Sequence, residues 1–557
     1  MEVRKRLDGS RLGAASTAIA VSIAAAGTAY AALPAAPVEG ALASGRLGLH
    51  AANEFRLATG RCQDCAATPQ ALWYFQDDVV AVPKARASGF TRTLRAQDDV
   101  RKWSAEHLAK GGGDKPSLLW LGSPQIASGV RLVAGGTSIV GSDGTRMGFA
   151  VTPRIPSNLS YYDASSIRHF SDRPLRMRGK LEQGKFIART LWPEDFALDP
   201  TRLAYQPLAA GETLQSLVRA AGGGAKAALA GRVLWQRDAD PALQLAGKPV
   251  MAFMLNGAQG DDDEAHGGHF GIATGTFGEH GEWGDWLVNN FYNLDSVSEK
   301  GIVAATLPMD AYMADLNSGQ SWYRPSYMLV AVLKQDRAAG LYQEAINRVY
   351  HHFYRHDFHY RHSSANCAGV SMETLRSVGW RIPEQGPTSR LKAAIALPYK
   401  AVKDMSLDSG KEAYDYLIAE RTDLYPFVAF EAAGRDLLQR IAGGGKATTA
   451  FEKMLAEDLD ALIYVRIPQF PSSREFGQAP VASIDEYMTR VPEDRTQWKI
   501  VPVPSRPFPP ELKDPDAPAE EPLASSLASY AYGLLLGISA AGAWRYRASK
   551  RAARTAA

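Results

Sequence analysis

An uncharged stretch near the C-terminus limits the possible topologies of this chain more than any other feature. Leu523–Trp544 is a run of 22 residues without a charged side chain, long enough to cross the hydrocarbon core of a bilayer as a helix. Five Lys and Arg residues follow it, whereas acidic residues precede it. Because basic residues favour the cytoplasmic side, the sequence predicts a single transmembrane helix over 523–544 and a basic cytoplasmic tail over 545–557.

The N-terminus predicts the same orientation. Basic residues among the first 11 are followed by the uncharged, Ala-rich stretch 12–38, which contains the small-x-small pattern Ala29-Tyr30-Ala31. These features are typical of a signal peptide over residues 1–31, and an uncleaved signal anchor is the alternative. Either form places the main body in the periplasm or outside the cell, at a bacterial-type inner (plasma) membrane.

The charge distribution gives no indication of a nucleic-acid partner. The chain has 62 Lys and Arg against 59 Asp and Glu, a net charge of +3, but this surplus comes from the two ends. Residues 12–544 carry a net charge of −4. We therefore expect no nucleic-acid binding. With 46% hydrophobic and 22% charged residues, the composition excludes a mainly disordered or multi-span membrane protein.

Local patterns divide the exported body into regions. Short β-rich runs separated by Gly, Asp and Pro predict a β-rich N-terminal region over 45–245, and helical periodicity predicts a helical region over 409–500. Eight Pro residues predict a stiff, extended spacer over 501–522. The β-rich runs are Gly129–Val133, Thr137–Val140 and Gly148–Val151, and the expected helices are Lys411–Arg421, Pro426–Ile441 and Ala447–Ile463.

The chain has three cysteines, of which two are close together. Cys62 and Cys65 form a C-x-x-C pair, and in an oxidising compartment they predict a short disulfide; a redox role or a metal site are the alternatives. No His follows Cys65, which excludes a c-type haem attachment. Cys367 is then the unpaired cysteine and a candidate reactive thiol.

Cys367 lies where a helix is expected to begin. Polar residues that can cap a helix precede it, and an apolar stripe follows up to Gly379. The partial positive charge at a helix N-terminus stabilises a thiolate and lowers the thiol pKa. A thiolate nucleophile also needs a His that accepts its proton and returns it to a leaving group. An inert, buried thiol is the alternative.

His269 is the candidate base, because it opens a short predicted strand that ends in Gly. A polar residue on the next predicted strand, 285–292, would orient the imidazole. Asn290 is the preferred third residue and Asn289 is the alternate, because side-chain alternation lets only one of them face the site. His280, in the intervening loop, is a further alternative.

A histidine-rich segment offers a rival site. Five of the 11 His residues lie between His351 and His362, and His352, His356 and His359 would share one helical face. Such spacing can bind zinc. Interleaved aromatic residues favour a packed helix instead, and we expect no metal and no cofactor.

The pattern H-F-G-I-A-T-G, followed about 100 residues later by N-C at a helix start, resembles the circularly permuted papain-like thiol enzymes. These include lecithin:retinol acyltransferase-like proteins and permuted NlpC-like envelope hydrolases. Tyr350–Asn366 and the N-F-Y after the His strand are similar to the Lnb N-terminal periplasmic domain family. The resemblance covers roughly residues 250–400. It implies a permuted papain-like domain, assigned here to 246–408.

The resemblance also implies catalytic roles. Cys367 would be the nucleophile, His269 the base, and a polar residue on the next strand the orienting group. Acyltransferase-type members carry a second His close after the first, where this chain offers Asn289 and Asn290.

We therefore expect an α+β, membrane-anchored, exported thiol hydrolase or acyltransferase. It would act through an acyl-enzyme on an amide or ester bond of an envelope peptide, lipoprotein or lipid. A non-catalytic envelope scaffold or binding protein that retains the fold is the alternative.

Overall fold

The computed structural model describes part of the 557-residue chain. The described residues are 36–37, 49–50, 80–83, 94–109, 118–121, 125–154, 161–220, 228–238, 243–257, 267–291, 305–354, 358, 363, 365–470 and 479–490. The predicted signal peptide, the Cys62–Cys65 pair, the spacer over 501–522, the transmembrane helix over 523–544 and the tail over 545–557 lie outside these residues.

The fold is mixed α+β, as expected. The strands are β1 (Ala36–Pro37), β2 (Leu49–His50), β3 (Val80–Pro83), β4 (Leu118–Leu121), β5 (Gln125–Leu132), β6 (Ser138–Val140), β7 (Arg146–Val151), β8 (Leu175–Glu182), β9 (Lys185–Pro193), β10 (Ala204–Tyr205), β11 (Ala230–Gln236), β12 (Pro249–Asn256), β13 (His269–Thr276), β14 (Leu287–Asn290), β15 (Ala305–Pro308), β16 (Ser326–Leu333) and β17 (Leu459–Ile467).

Helices are distributed along the whole described chain. They are α1 (Ala96–Ala109), α2 (Ala164–Phe170), α3 (Leu214–Ala220), α4 (Met309–Ala314), α5 (Gln320–Tyr323), α6 (Arg337–Tyr354), α7 (Cys367–Ser377), α8 (Arg390–Lys403), α9 (Leu407–Ile418), α10 (Arg421–Leu424), α11 (Pro426–Asp436), α12 (Ala450–Asp458) and α13 (Ile484–Arg490), with a π-helical turn at Leu437–Ile441 and a 3₁₀ turn at Pro200–Arg202.

A large sheet of 11 strands organises the molecule. Its order is β10-β11-β17-β16-β12-β13-β14-β15-β3-β4-β2. The central strands β12 and β16 are nearly continuous apolar runs, and every residue of β16 is buried. Such runs are expected where both faces of a sheet are covered. The predicted papain-like domain covered residues 246–408. The large sheet combines strands from this range with strands that precede residue 246 and with β17, which follows residue 408.

A smaller sheet forms next to it. Its order is β1-β5-β6-β7-β9-β8, and β5 also pairs with β8, so five of the six strands close into a ring. The β-rich runs predicted at 129–133, 137–140 and 148–151 are confirmed as parts of β5, β6 and β7.

Buried charges join the small sheet to the segment before β16. Arg178 on β8 donates from Nε to both carboxylate oxygens of Asp310 on α4, each at 2.8 Å. Arg176 contacts the same carboxylate at 2.9 Å. Asp310 is fully buried and Arg178 nearly so. Asp285, which is partly exposed, also contacts both arginines. Removing Asp310 therefore leaves two buried cations with only this weaker compensation.

One predicted helix was wrong in its C-terminal part. The sequence pattern predicted a helix over Ala447–Ile463, but α12 ends at Asp458 and Leu459–Ile467 forms β17. This strand pairs with β16 on one side and β11 on the other, so it lies inside the large sheet. The segment 409–500 is thus not purely helical.

Within the part of the chain that the structure describes, no helix has both the length and the apolar character needed to cross a bilayer.

We predict that Asp310→Ala lowers the free energy of unfolding by about 3 kcal/mol, because it leaves two buried guanidinium groups with only the partly exposed carboxylate of Asp285. Urea unfolding of the full chain measures this loss. Glu182→Ala is the matched control, since it breaks the exposed Lys180–Glu182 pair and should change the free energy by less than about 1 kcal/mol. Equal losses in the two variants would contradict the importance of the buried group.

Candidate active site

Asn366 fixes the start of helix α7. Its backbone is extended, and its side-chain oxygen accepts hydrogen bonds from the backbone N–H groups of Ala368 and Gly369 at 2.9 and 3.0 Å. Its side-chain nitrogen donates to the carbonyl of Leu424 at 2.8 Å. Asn366 is therefore the N-cap, which satisfies donors that a helix start otherwise leaves open. The predicted helix beginning at Cys367 is confirmed.

Cys367 is the first residue of this helix, and its side chain is buried, with 4% exposed. At this position the aligned peptide dipoles favour an anionic sulfur. Helix α7 packs against strand β13, the strand that opens with His269. The predicted strand start at His269 is confirmed as well. The fold thus brings together the two elements that carry the expected nucleophile and base.

The backbone just before His269 is tightly confined. Gly268 has a φ of +78°, a conformation that side chains with a Cβ rarely adopt. A Cβ there would lie 2.6 Å from the carbonyl oxygen of Asn256 and 2.7 Å from Pro480. Only glycine fits this close approach. It sets the direction in which the chain enters β13.

The imidazole of His269 is buried, with 2% exposed. Its ring lies 6.2 Å from the ring of Tyr312, measured between centroids. Burial, with a smaller contribution from the Arg324 cation, lowers the pKa of His269 to about 3, although the hydrogen bond with the Asn290 side chain acts in the opposite direction. The imidazole is therefore neutral at neutral pH, which is the state that can accept a proton from a thiol.

The strand register separates Asn289 from Asn290. Asn289 lies directly opposite Ile272, so these two side chains share one face of the sheet. His269 is three residues from Ile272 and therefore projects from the other face, as does Asn290. Because Asn290 shares the face of His269 and acts on its imidazole, it fits the orienting position better than Asn289.

Asn289 has a different role, in a buried amide network. Its side chain exchanges hydrogen bonds with Gln343 on α6 at 2.8 and 2.9 Å, and it accepts one from Thr306 at 2.8 Å. Thr274 donates to the same Gln343 at 2.7 Å. These contacts hold β13, β14 and β15 against α6, and they occupy Asn289 on the face opposite to His269.

The fold does not bring His280 close to His269 or Cys367. It lies in the exposed loop that follows β13, and its backbone N–H donates to the Glu282 carboxylate. Strand β13 runs from His269 to Thr276, so His280 lies beyond its far end, about 23 Å along the strand from His269.

A cavity of about 340 Å³ opens at Cys367. Its volume is in the range of sites for small molecules or chain segments. The wall includes Cys367, Asn366 and the two glycines before His269, whereas the buried imidazole is not among the lining residues. The rest of the wall consists of Lys400, Asp404, Ser409, Glu412, Ala413, Tyr416, Leu424, Tyr425, Pro426, Val481, Ile484 and Tyr487.

The sequence analysis did not predict the part of the cavity wall that follows residue 399. Its residues come from three segments, 400–416, 424–426 and 481–487, which carry no recognisable motif. Only the folded chain brings them to Cys367. The aromatic residues Tyr416, Tyr425 and Tyr487 were the one available signal, and Tyr also occurs widely in ordinary cores.

Part of the histidine-rich segment is described. His352, on α6, is buried and its Nε2 lies 3.7 Å from the carboxylate of Asp99, which also binds Arg348 at 2.8 Å. In this place the His belongs to a buried charged group between α1 and α6. His356 and His359 lie outside the described residues.

Comparisons with protein-family models, curated proteins and solved structures found no match for this chain.

We predict that His269 makes stability depend on pH. The unfolded His has a pKa near 6.5 and the folded one about 3, so the unfolded state binds one more proton between these values. The free energy of unfolding should fall as the pH drops through this window, by up to about 1.4 kcal/mol per pH unit from this residue. In His269→Gln the slope should be shallower by that amount.

Urea unfolding of the full chain between pH 6 and 4.5 provides the measurement. The control is His280→Gln, which changes an exposed side chain and should keep the slope of the unchanged protein. Parallel slopes for the unchanged protein and His269→Gln would contradict a buried neutral imidazole.

Proposed function

We propose that this chain is a cysteine hydrolase or acyltransferase of the permuted papain-like type, exported and anchored in the inner membrane. One observation carries the proposal: a capped helix start presents Cys367 to a cavity, and the same helix packs against the strand opened by His269. The order of the two residues along the chain, base first and nucleophile later, also supports the permuted type.

The proposed reaction uses three residues. The thiol of Cys367 gives its proton to His269 while the sulfur attacks the carbonyl carbon of an amide or ester. The resulting imidazolium returns the proton to the departing amine or alcohol, which leaves a thioester on Cys367. Water then gives hydrolysis, and an acceptor amine or alcohol gives acyl transfer. Asn290 orients the imidazole, as the third member of a triad does.

The composition of the cavity wall supports an amphiphilic substrate. Leu424, Pro426, Val481 and Ile484 provide apolar surface next to Cys367, whereas Lys400 and Glu412 provide charge. An acyl or peptidyl chain with a polar end group has both characters. This agrees with an envelope peptide, a lipoprotein or a lipid as the substrate, and the proposed reaction requires no metal or cofactor.

The cellular location rests on the two chain ends. The uncharged N-terminal stretch with Ala29-Tyr30-Ala31 supports export, and Leu523–Trp544 with its basic flank supports one membrane crossing with the tail in the cytoplasm. The Pro-rich residues 501–522 would hold the body away from the bilayer surface.

A second candidate function is a non-catalytic envelope scaffold that keeps the fold. Two observations favour it: the imidazole of His269 does not line the cavity, and the chain offers Asn289 and Asn290 where the acyltransferase-type proteins that it resembles use a second His. In that case the cavity would bind a partner segment without forming a covalent bond.

We predict that an activated acyl ester, such as a p-nitrophenyl fatty acyl ester, acylates the full-length protein at Cys367 alone. Peptide mass mapping should find a hydroxylamine-sensitive acyl group on this residue, because a thioester is the proposed intermediate. Cys367→Ala should abolish it, while the control Cys62→Ser/Cys65→Ser should keep it. Label that survives in Cys367→Ala, or no label in the unchanged protein, would favour the scaffold.

We also predict a fixed topology. A reporter fused after Ala557 should be active only in the cytoplasm, and a reporter inserted next to Pro515 only outside it, because the basic flank of Leu523–Trp544 orients the segment. Reporters on the same side of the membrane would contradict the anchor.

A further inference from the structure

A helical hairpin exposes an apolar stripe that packing does not explain. The hairpin consists of α8, residues 404–406 and α9. Leu391, Ile395, Tyr399 and Val402 of α8 are all exposed, and their spacing of four, four and three residues places them on one face. Val402 has 78% of its surface exposed. Soluble monomers rarely expose a contiguous apolar stripe of this kind without a partner.

The stripe continues over the tip of the hairpin. Met405 is 93% exposed and has a φ of +50°, and Leu407, the first residue of α9, is also exposed. Between them Ser406 caps α9 by accepting a hydrogen bond from the backbone N–H of Ser409. The hairpin tip, defined here as Tyr399–Leu407, is thus an ordered turn that carries apolar side chains outward.

The opposite side of α8 is properly packed. Ala393, Ala394 and Leu397 are buried, and α8 lies against α9. Gly410 on α9 permits this contact, since a Cβ there would lie 2.5 Å from the carbonyl oxygen of Leu397. This packing fixes which side of α8 faces the protein. The apolar stripe on its other side therefore remains exposed to solvent.

The charges of α8 favour an anionic partner. The helix carries Arg390, Lys392, Lys400 and Lys403 and no acidic residue. Two of these lysines also contact carboxylates: Lys392 pairs with Asp485, and Lys400 with Asp404. Apolar residues flanked by Lys and Arg on one helix are typical of segments that lie in the interface of a membrane with anionic lipids.

The predicted transmembrane segment would keep a membrane near the hairpin. The uncharged run Leu523–Trp544 begins 33 residues after Arg490, the last described residue. The 32 residues between them span at most about 110 Å when fully extended. If this run crosses the bilayer, Arg490 cannot lie farther than that from its surface, and the Lys392–Asp485 pair connects the hairpin to the same helix α13.

We propose that the hairpin tip docks into the headgroup region of a bilayer that contains anionic phospholipid. Val402, Met405 and Leu407 enter the interface, and Lys403, beside them at the end of α8, contacts lipid phosphates. The same hairpin contributes Lys400, Asp404, Ser409, Glu412, Ala413 and Tyr416 to the cavity at Cys367. Docking therefore places one wall of that cavity at the membrane surface. The inference shares the membrane anchor with the proposed function but does not depend on the chemistry of Cys367.

Photo-crosslinking tests the docking on the full-length protein in nanodiscs of phosphatidylcholine and phosphatidylglycerol. The photoreactive residue p-benzoylphenylalanine is placed at position 405 and, as the control, at position 205, where Tyr205 is exposed on β10. Mass spectrometry then measures lipid adducts. We expect at least a tenfold higher lipid yield at 405 than at 205, and a severalfold fall at 405 when phosphatidylglycerol is omitted.

Each other outcome overturns part of the proposal. Equal lipid yields at 405 and 205, or adducts at 405 only with a second copy of this chain, would exclude membrane docking. A yield unaffected by phosphatidylglycerol would exclude the anionic-lipid contact. Resistance of the protein to alkaline extraction from membranes measures the anchor separately, and labelling of Cys367 measures the chemistry, so failures of the three claims remain distinguishable.

Discussion

The packing of helix α7 against strand β13 is the contact on which the proposed chemistry depends. Both elements are almost wholly buried, so neither can shift without disturbing the core around it. The helix is also fixed at its two ends. Asn366 bonds the carbonyl of Leu424 at the start, and Arg376 contacts Asp423 at 2.6 Å near the end. Helix α7 and strand β13 are thus fixed before any substrate arrives. The strand register nevertheless directs the His269 side chain to the sheet face of Tyr312, whereas Trp380, just after α7, packs on Phe253 of the opposite face.

The buried polar groups around β14 have distinct tasks. Asn289 and Gln343 hold the strands and α6 together on one face of the sheet, where replacing either amide removes two buried hydrogen bonds from the other. Asn290 and His269 share the other face, where burial keeps the imidazole neutral. Two adjacent asparagines thus serve structure and, in our proposal, catalysis.

Local signals explain which parts of the site the sequence predicted. Asn366 followed by Cys367 is a helix start because a side-chain cap and an apolar stripe occur together, and His269 was recognised as a strand start from the short apolar run behind it. The sequence favoured Asn290 over Asn289 as the orienting residue but could not exclude Asn289. Which of the two shares the face of His269 depends on the pairing of β13 with β14 and on the contact of Asn289 with α6. The cavity wall was not predictable, because its residues meet only through tertiary packing.

The mistaken helix has a similar cause. Leu459–Ile467 follows α12 without a Gly or Pro, and a short apolar run of this kind fits a buried helix or a buried strand equally well. The segment forms a strand because it pairs with β16 on one side and β11 on the other. Both strands are more than 120 residues away in sequence, so local patterns do not reveal them.

The rate at which iodoacetamide alkylates Cys367 at pH 7.5 is the most direct test of the central claim, that Cys367 and His269 act as a pair. The full-length protein is compared with His269→Ala, and the modified peptide is quantified by mass spectrometry. If the imidazole promotes thiolate formation, the rate constant should fall at least tenfold in the variant. Equal rate constants, with both proteins folded, would contradict the pairing and leave Cys367 as a structural thiol.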